Sequence, residues 1–344
     1  MTEKKQTVLY MGAALLIAIV IFAFFYQKRQ PKDPITATAL KLNTVVQITI
    51  YDSQDRELLE EALALCDTYE QIFSRTAKTS ELYQLNHGQL SKEGEAYSVS
   101  DAMAELIAEG LAYSELSGGA FDITIEPVSS LWDFTSGHKI VPAQRELDLA
   151  KELVNYKKVF LAENQVSFEK EGMALELGAI AKGYIADRIK EFLISKGVKS
   201  AIIDLGGNIL CIGSRADGEP FRIGIQRPFA DRQEQVAVVE IADKSVVSSG
   251  IYERFFEKNG VFYHHILNPK DGYPYENNLV SVTIISDESV DGDGLSTSCF
   301  ALGLEGGMEL VESLPDVQAI FITEDGEVHL SGGFEEEIKI TFAK

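Results

Sequence analysis

The densest chemistry in the chain lies in Ser289-Val290-Asp291-Gly292-Asp293-Gly294-Leu295-Ser296-Thr297. Small residues surround two carboxylates just ahead of residues 295–304, which read as a helix. Asp293 and Thr297 are four apart, so on a helix both project from nearly the same side. A carboxylate and a hydroxyl oxygen suit Mg²⁺, which takes hard ligands and completes its shell with water and phosphate. A helix N-terminus there would add N–H donors and partial positive charge for an anion. A plainer reading makes Asp293 an N-cap and Thr297 an ordinary helix residue, and this segment alone leaves both open. An EF-hand is excluded: a loop starting at Ser289 puts Phe300 where the bidentate Glu belongs.

Three further segments carry candidate groups. In Glu176-Leu177-Gly178-Ala179-Ile180-Ala181-Lys182-Gly183-Tyr184, the small residues let a ligand approach the backbone. Lys182 can offset charge on a phosphate. The GxxxxGK[ST] spacing of a P-loop is absent, and Asp204-Leu205-Gly206-Gly207-Asn208 lacks GxGxxG, so it reads as a turn or bulge. His264 and His265 are adjacent on a strand, point to opposite faces and cannot readily share one metal. Either also fits as a hydrogen-bonded structural histidine, and Asn268-Pro269-Lys270-Asp271-Gly272 is a turn. Ser117-Gly118-Gly119-Ala120-Phe121-Asp122, followed by Trp132 and Phe134, can hold a planar ring or turn into the core.

These groups need a frame. Residues 45–51 alternate and are β-branched, as a strand requires. Residues 55–73 and 100–116 place apolar side chains on one helical face, with Ser100 as an N-cap. Residues 157–176 read as a meander turning at Glu163-Asn164. Residues 181–196 read as a helix stopped by Gly197. Residues 199–212 form an apolar strand interrupted by Gly206-Gly207. Residues 236–240 and 280–285 are further strands, and 319–330 is a hairpin across Asp325-Gly326.

The composition is that of a globular protein, 45% hydrophobic and 24% charged, which excludes disordered, collagen-like and disulfide-scaffold classes. Cys66, Cys211 and Cys299 are far apart and read as small buried hydrophobes. Residues 8–26 carry no charge and are long enough to cross a hydrocarbon core of ~30 Å. With Lys4 and Lys5 before them and Lys28 and Arg29 after, they read as an uncleaved signal anchor. The expected organisation is an anchor and linker over 1–34 and one mixed body over 35–344. The expected location is the cell membrane, single-pass, with the body on the extracytoplasmic side. The net charge is −22, and the first 34 residues contribute +3, so the body carries −25. Such a body repels a phosphate backbone, so no nucleic-acid partner is expected. An anionic small molecule would need a local cation or metal.

Seven segments in order resemble the ApbE family of FAD:protein FMN transferases. They are GGAFDITIEPVSSLWDF (118–134), LELGAIAKGYIADRI (175–189), AIIDLGGNI (201–209), FRIGIQRP (221–228), VVSSGIYERFF (246–256), HHILNPKDGYP (264–274) and DGDGLSTSCFALG (291–303). The resemblance runs from about residue 36 to the end. It implies an α+β, T-fold-like body of mixed sheet and helix behind the transmembrane anchor. It implies Mg²⁺-dependent cleavage of FAD, transfer of FMN through its phosphate to a Thr or Ser hydroxyl of an acceptor flavoprotein, and release of AMP. Acceptors of the family typically carry a short Asp-x-x-Ser/Thr-x-x-Thr-like sequence. By resemblance Asp293 and Thr297 are side-chain ligands of Mg²⁺, and Ala179 a carbonyl ligand. Glu176, Lys182, Ala120, Phe121, Asp122, His265 and Ile266 match FAD-contacting positions. Leu42 and Thr76 match two more, where the family usually has Met and Tyr, and Asn268 replaces the commoner Asp. His265 is the first candidate for the base that takes the acceptor proton, with Asp293 or Asp291 through a water as alternatives. Two other readings share much of this site: a membrane-anchored FAD pyrophosphatase giving FMN and AMP, and a non-catalytic flavin-binding protein.

Overall fold

The structure is a computed structural model, and it describes Met11 and residues 33–134, 137–231 and 233–343. The expected anchor, residues 8–26, lies outside the described residues apart from Met11. Among the described residues no helix is long and apolar enough to cross a membrane.

An eight-stranded antiparallel sheet forms the floor of the body. Its order is Ile35–Lys41, Thr44–Ile50, Ala201–Leu205, Ile209–Ile212, Ser245–Gly250, Leu279–Ser286, Gln318–Thr323 and Val328–Leu330. The first two strands turn through Leu42 and Asn43, both at positive φ, as a two-residue hairpin requires. Leu279–Ser286 and Gln318–Thr323 are buried at every position, so both faces of the sheet are covered there. Helix Ser289–Glu312 lies on strands Leu279–Ser286 and Ser245–Gly250 and packs along helix Ala181–Ser195, which in turn meets helix Glu57–Phe73. A four-stranded sheet (Lys92–Glu93, Ala96–Ser98, Gln165–Phe168, Val159–Ala162) and a three-stranded one (Lys339–Phe342, Gln235–Ile241, Phe221–Gln226) flank this core. A separate hairpin, Phe255–Lys258 with Val261–His264, turns at Asn259-Gly260. It packs Phe256 with Trp132, Val128 and Leu147 in a small second core.

Most expected elements are present within a residue or two. Glu57–Phe73, Asp101–Leu116 with Ser100 capping Met103 N at 3.2 Å, and Ala181–Ser195 with Gly197 at φ +89° are the expected helices. All three cysteines are buried and free.

One expectation is corrected. The helix expected over 295–304 begins six residues earlier, at Ser289, and runs to Glu312 through a kink at Gly303. Asp293 is therefore inside the helix and is not its N-cap; Glu288 holds that position and makes no side-chain cap. Glycine lowers helix propensity by about 1 kcal/mol, which is why the Asp-Gly-Asp-Gly run reads as a loop. Packing overrides this. A Cβ on Gly292 would meet Val247 at 2.5 Å, and one on Gly294 would meet the Tyr113 ring at 2.5 Å. The glycines let the helix press against strand Ser245–Gly250 and helix Asp101–Leu116. The helix start is capped from outside by Asp187, whose carboxylate accepts from Ser289 N at 2.8 Å and Val290 N at 2.9 Å. The expectation that a helix N-terminus at this segment would offer its amides to an anion is corrected too: the helix starts at Ser289, and its first two amides are taken by a carboxylate.

Candidate active site

The site forms where the N-terminal turns of helices Ala181–Ser195 and Ser289–Glu312 touch. Gly183 makes the contact: a Cβ there would stand 2.3 Å from the Ser289 carbonyl oxygen and 2.6 Å from Val290 Cα. With no side chain in the way, Gly183 N–H donates to Asp293 Oδ2 at 2.6 Å. Asn208 Nδ2 donates to Asp293 Oδ1 at 3.1 Å, and Asn208 Oδ1 accepts from Ser289 Oγ at 2.8 Å. Asp293 is 5% exposed. Burial pushes its pKa up, and Lys182, the Gly183 amide and Asn208 oppose that push.

Gly183 is the third residue of helix Ala181–Ser195, so its amide is one of the first-turn donors that no carbonyl of the helix satisfies. Asp293 takes it, and among the described residues no backbone N–H reaches the carbonyl of Ala179, which lies just ahead of the helix. Thr297, half-buried one turn past Asp293, pairs with Ser249 Oγ at 3.1 Å, and Ser249 also pairs with Ser296 at 2.8 Å. Either hydroxyl of that pair can donate, and when Thr297 does so its lone pairs are free. A carbonyl, a carboxylate oxygen and a hydroxyl are a hard donor set that fits Mg²⁺ completed by water and phosphate. Among the described residues no three His, Cys, Asp or Glu side chains form a metal cluster.

Lys182 supplies positive charge to both Asp293 and His265. Among the described residues it has no carboxylate within ion-pair distance. It is the available cation that an acidic body needs to hold an anion.

The histidines differ sharply. His264 is buried; its Nδ1 accepts from Ile266 N at 3.3 Å, which leaves Nε2–H to donate to the Tyr275 carbonyl at 3.1 Å. Both nitrogens are used, and burial pushes its pKa down to about 4. His265 is half-buried, and its Nδ1 lies 3.2 Å from the Arg254 carbonyl, which can only accept. That fixes the proton on Nδ1 and leaves the Nε2 lone pair open. Desolvation, with Arg254, His264 and Lys182 nearby, pushes its pKa down to about 3.

Glu176 Oε2 pairs with Arg75 Nε at 2.5 Å, and its Oε1 accepts from Gly178 N at 3.1 Å. This holds the turn leading to Ala179 and brings Thr76, exposed next to Arg75, to the same edge. Asp122 is buried and fully engaged: it accepts from Thr124 N, Thr124 Oγ1 and Tyr156 N at 2.8, 2.6 and 3.0 Å. Phe121 and Ile266 are buried too. These three pack in the interior, whereas Ala120 is half-buried, with its carbonyl accepting from Tyr275 Oη at 2.9 Å. Leu42 sits in the first hairpin turn beside Thr44, which packs against Gly206 in the turn that presents Asn208. Asn268 caps its own turn, accepting from Lys270 N at 3.0 Å.

The family model described as the ApbE family matches residues 42–321. The chain belongs to the ApbE family. A FAD:protein FMN transferase of Klebsiella pneumoniae is 36% identical over 86% of this chain and 90% of its own length. One of Treponema pallidum is 32% identical over 99% and 98%. Among solved structures, the ApbE protein of Thermotoga maritima matches with a TM-score of 0.80 and 30% identity, over 88% of this chain and 99% of its own. The flavin transferase ApbE of Vibrio cholerae matches at 0.79 and 26%, over 89% and 99%.

Within this ApbE-family frame, five partners of the site lack a role in the sequence reading: Arg75, Asp187, Asn208, Ser249 and Arg254. Asp187, Asn208, Ser249 and Arg254 lie inside the motif segments, so their location was available. Their partners lie between 11 and 103 residues away, and no local pattern encodes those pairings.

Proposed function

We propose that the chain transfers FMN from FAD to a Thr or Ser hydroxyl of an acceptor protein, forming a phosphodiester and releasing AMP, with Mg²⁺ at Asp293, Thr297 and the Ala179 carbonyl. The name carried by the curated relatives supports the flavin nucleotide and the protein acceptor. The observation that carries the metal reading is the bond from the Gly183 amide to Asp293, which orients a buried carboxylate at the start of the helix that follows Ala179. Held by these residues, Mg²⁺ would supply positive charge that offsets the pyrophosphate and the AMP leaving group.

The chain's own residues do the rest. Lys182 draws the anionic linkage toward Asp293, against the negative field of the body. Asn208 and the Gly183 amide hold the Asp293 carboxylate in one orientation. His265 faces the acceptor with a bare Nε2 and takes the hydroxyl proton as the oxygen attacks phosphorus. Its low pKa keeps the ring neutral and ready to accept. An arriving dianion favours the protonated ring and so strengthens it as a base when substrate is present. The uncharged run 8–26 supports a single-pass anchor with the body outside the cytoplasm, where exported acceptors are found.

The test is incubation of the purified protein with FAD, Mg²⁺ and an acceptor protein, followed by mass analysis. Covalent FMN on a Thr or Ser, with one AMP per FMN attached, is expected. Release of free FMN and AMP with an unmodified acceptor would make the chain a pyrophosphatase. Binding of FAD without turnover would make it a carrier.

A further inference from the structure

Exposed phenylalanines are few among the described residues: Phe160, Phe229, Phe255, Phe262 and Phe342. Three of the five touch one another. Phe255 and Phe262 stack across the hairpin with centroids 4.7 Å apart, and Phe229 meets both edge-on at 6.2 and 6.0 Å. Phe229 comes from a different loop, between strands Phe221–Gln226 and Gln235–Ile241, and holds a left-handed backbone at φ +59° that disfavours a bulky residue. Tyr252 supports it at 5.8 Å. Exposures of 57%, 43% and 37% make an apolar patch of about 300 Å² for rings of ~200 Å² each. Patches of that size on a monomer often mark a functional surface.

Two of the three rings, Phe255 and Phe262, lie on the hairpin that leads into the candidate site. Phe255 is the cross-strand partner of His264, and the Phe262 ring lies 6.3 Å from the His264 ring. Arg254, next to Phe255, provides the carbonyl that orients His265. We propose that the Phe229–Phe255–Phe262 patch is the docking surface for the acceptor protein, and that it takes apolar side chains flanking the hydroxyl to be modified. The inference rests on the transferase reading and deepens it: the hydroxyl must reach His265, so the polypeptide around it must lie on what borders His265.

Two other occupants fit less well. A two-fold dimer through this patch would bury about 600 Å² in total, below the ~1,200 Å² of stable interfaces, and would cover the approach to His265. A membrane surface rich in anionic lipid would meet Glu253 and Glu257 beside Arg254 and Lys258 on the same exposed hairpin, which gives no net attraction.

The experiment uses the full-length protein with Phe229→Ser, Phe262→Ser and the double variant. FMN transfer to an acceptor protein is measured over a range of acceptor concentrations, along with FAD affinity, thermal unfolding and sedimentation on vesicles of neutral and anionic lipid. The expected result is an acceptor KM raised roughly tenfold per ring, with kcat at saturating acceptor and FAD affinity unchanged. Phe262→Leu, which keeps apolar surface, should restore most of the loss. An unchanged acceptor KM in the folded double variant overturns the proposal. So does a loss confined to vesicle binding or to self-association. If the unaltered protein transfers no FMN to any acceptor, it is the transferase reading that has failed, and the patch variants are not needed to see it.

Discussion

Gly183→Ala tests the geometry that defines the site. The new Cβ would lie 2.3 Å from the Ser289 carbonyl oxygen, 2.6 Å from its carbon and 2.6 Å from Val290 Cα. All three are backbone atoms of a capped helix turn, so no side chain can swing aside. Relief to an ordinary contact of 3.4 Å needs the two helices to part by about 1.1 Å. The Gly183–Asp293 bond then lengthens from 2.6 Å to about 3.7 Å and ceases to be a hydrogen bond. A hydrogen bond to a charged group contributes ~1.5–3 kcal/mol, which is about 10- to 150-fold in a rate that depends on it. The overpacking itself costs ~1–3 kcal/mol of stability. The assay is single-turnover FMN transfer as a function of Mg²⁺ concentration, with thermal unfolding in parallel. We expect a folded protein with a lower melting temperature, a raised Mg²⁺ half-saturation and transfer slowed within that range. Unaltered transfer and Mg²⁺ dependence in Gly183→Ala would refute the claim that this amide positions Asp293.

Three further outcomes are expected. Chelation with EDTA should abolish transfer and added Mg²⁺ restore it, and Asp293→Asn should lower turnover by orders of magnitude, because the ligand loses its charge; near-normal turnover in that variant makes Asp293 a packing residue. His265→Ala should cut the transfer step about 10²–10⁴-fold while FAD still binds, whereas a loss reversed by saturating FAD would make His265 a binding residue. Stability should fall on the acid side. The His264 pKa is depressed to about 4 from 6.5, so the unfolded chain binds the proton first and the stabilisation present above pH 6.5 is lost as pH falls toward 4. The contribution is ~3 kcal/mol at 1.36 kcal/mol per unit. Urea unfolding of His264→Gln should show a flatter slope between pH 6.5 and 4, and identical slopes would show that His264 is not buried neutral.

How far the sequence reaches depends on the range of the interaction that decides each feature. Local chemistry suffices for the hairpin at Asp325-Gly326, where Gly326 takes φ +82°, and for Ser100, whose hydroxyl caps the next helix. It also sufficed at Asn259-Gly260, a strong hairpin pair that the sequence reading passed over, with φ +55° and +76°. It fails at Asp-Gly-Asp-Gly. Propensity says loop, and the decisive terms are Asp187, 102 and 103 residues upstream, and the close approach of Val247 and Tyr113. The same limit hides the phenylalanine patch, because two strands and their turns separate Phe229 from Phe255.

The misread helix start also changes how the site is understood. An N-cap aspartate satisfies its own helix and has little carboxylate left for a ligand. Inside the helix, Asp293 cannot cap Ser289–Glu312, so it is free to take the amide of the neighbouring helix instead. Asp187 makes this possible by capping from outside. Asp187 lies on helix Ala181–Ser195 and holds the start of Ser289–Glu312, while Asp293 lies on Ser289–Glu312 and holds the start of Ala181–Ser195. Each helix thus donates amide protons to a carboxylate of the other. This reciprocal pair locks the two N-terminal turns together, and the glycine at 183 is the only residue type that lets them meet. The position of the Asp293 oxygens is therefore set by two helices at once, which is the preorganisation that an electrostatic site requires.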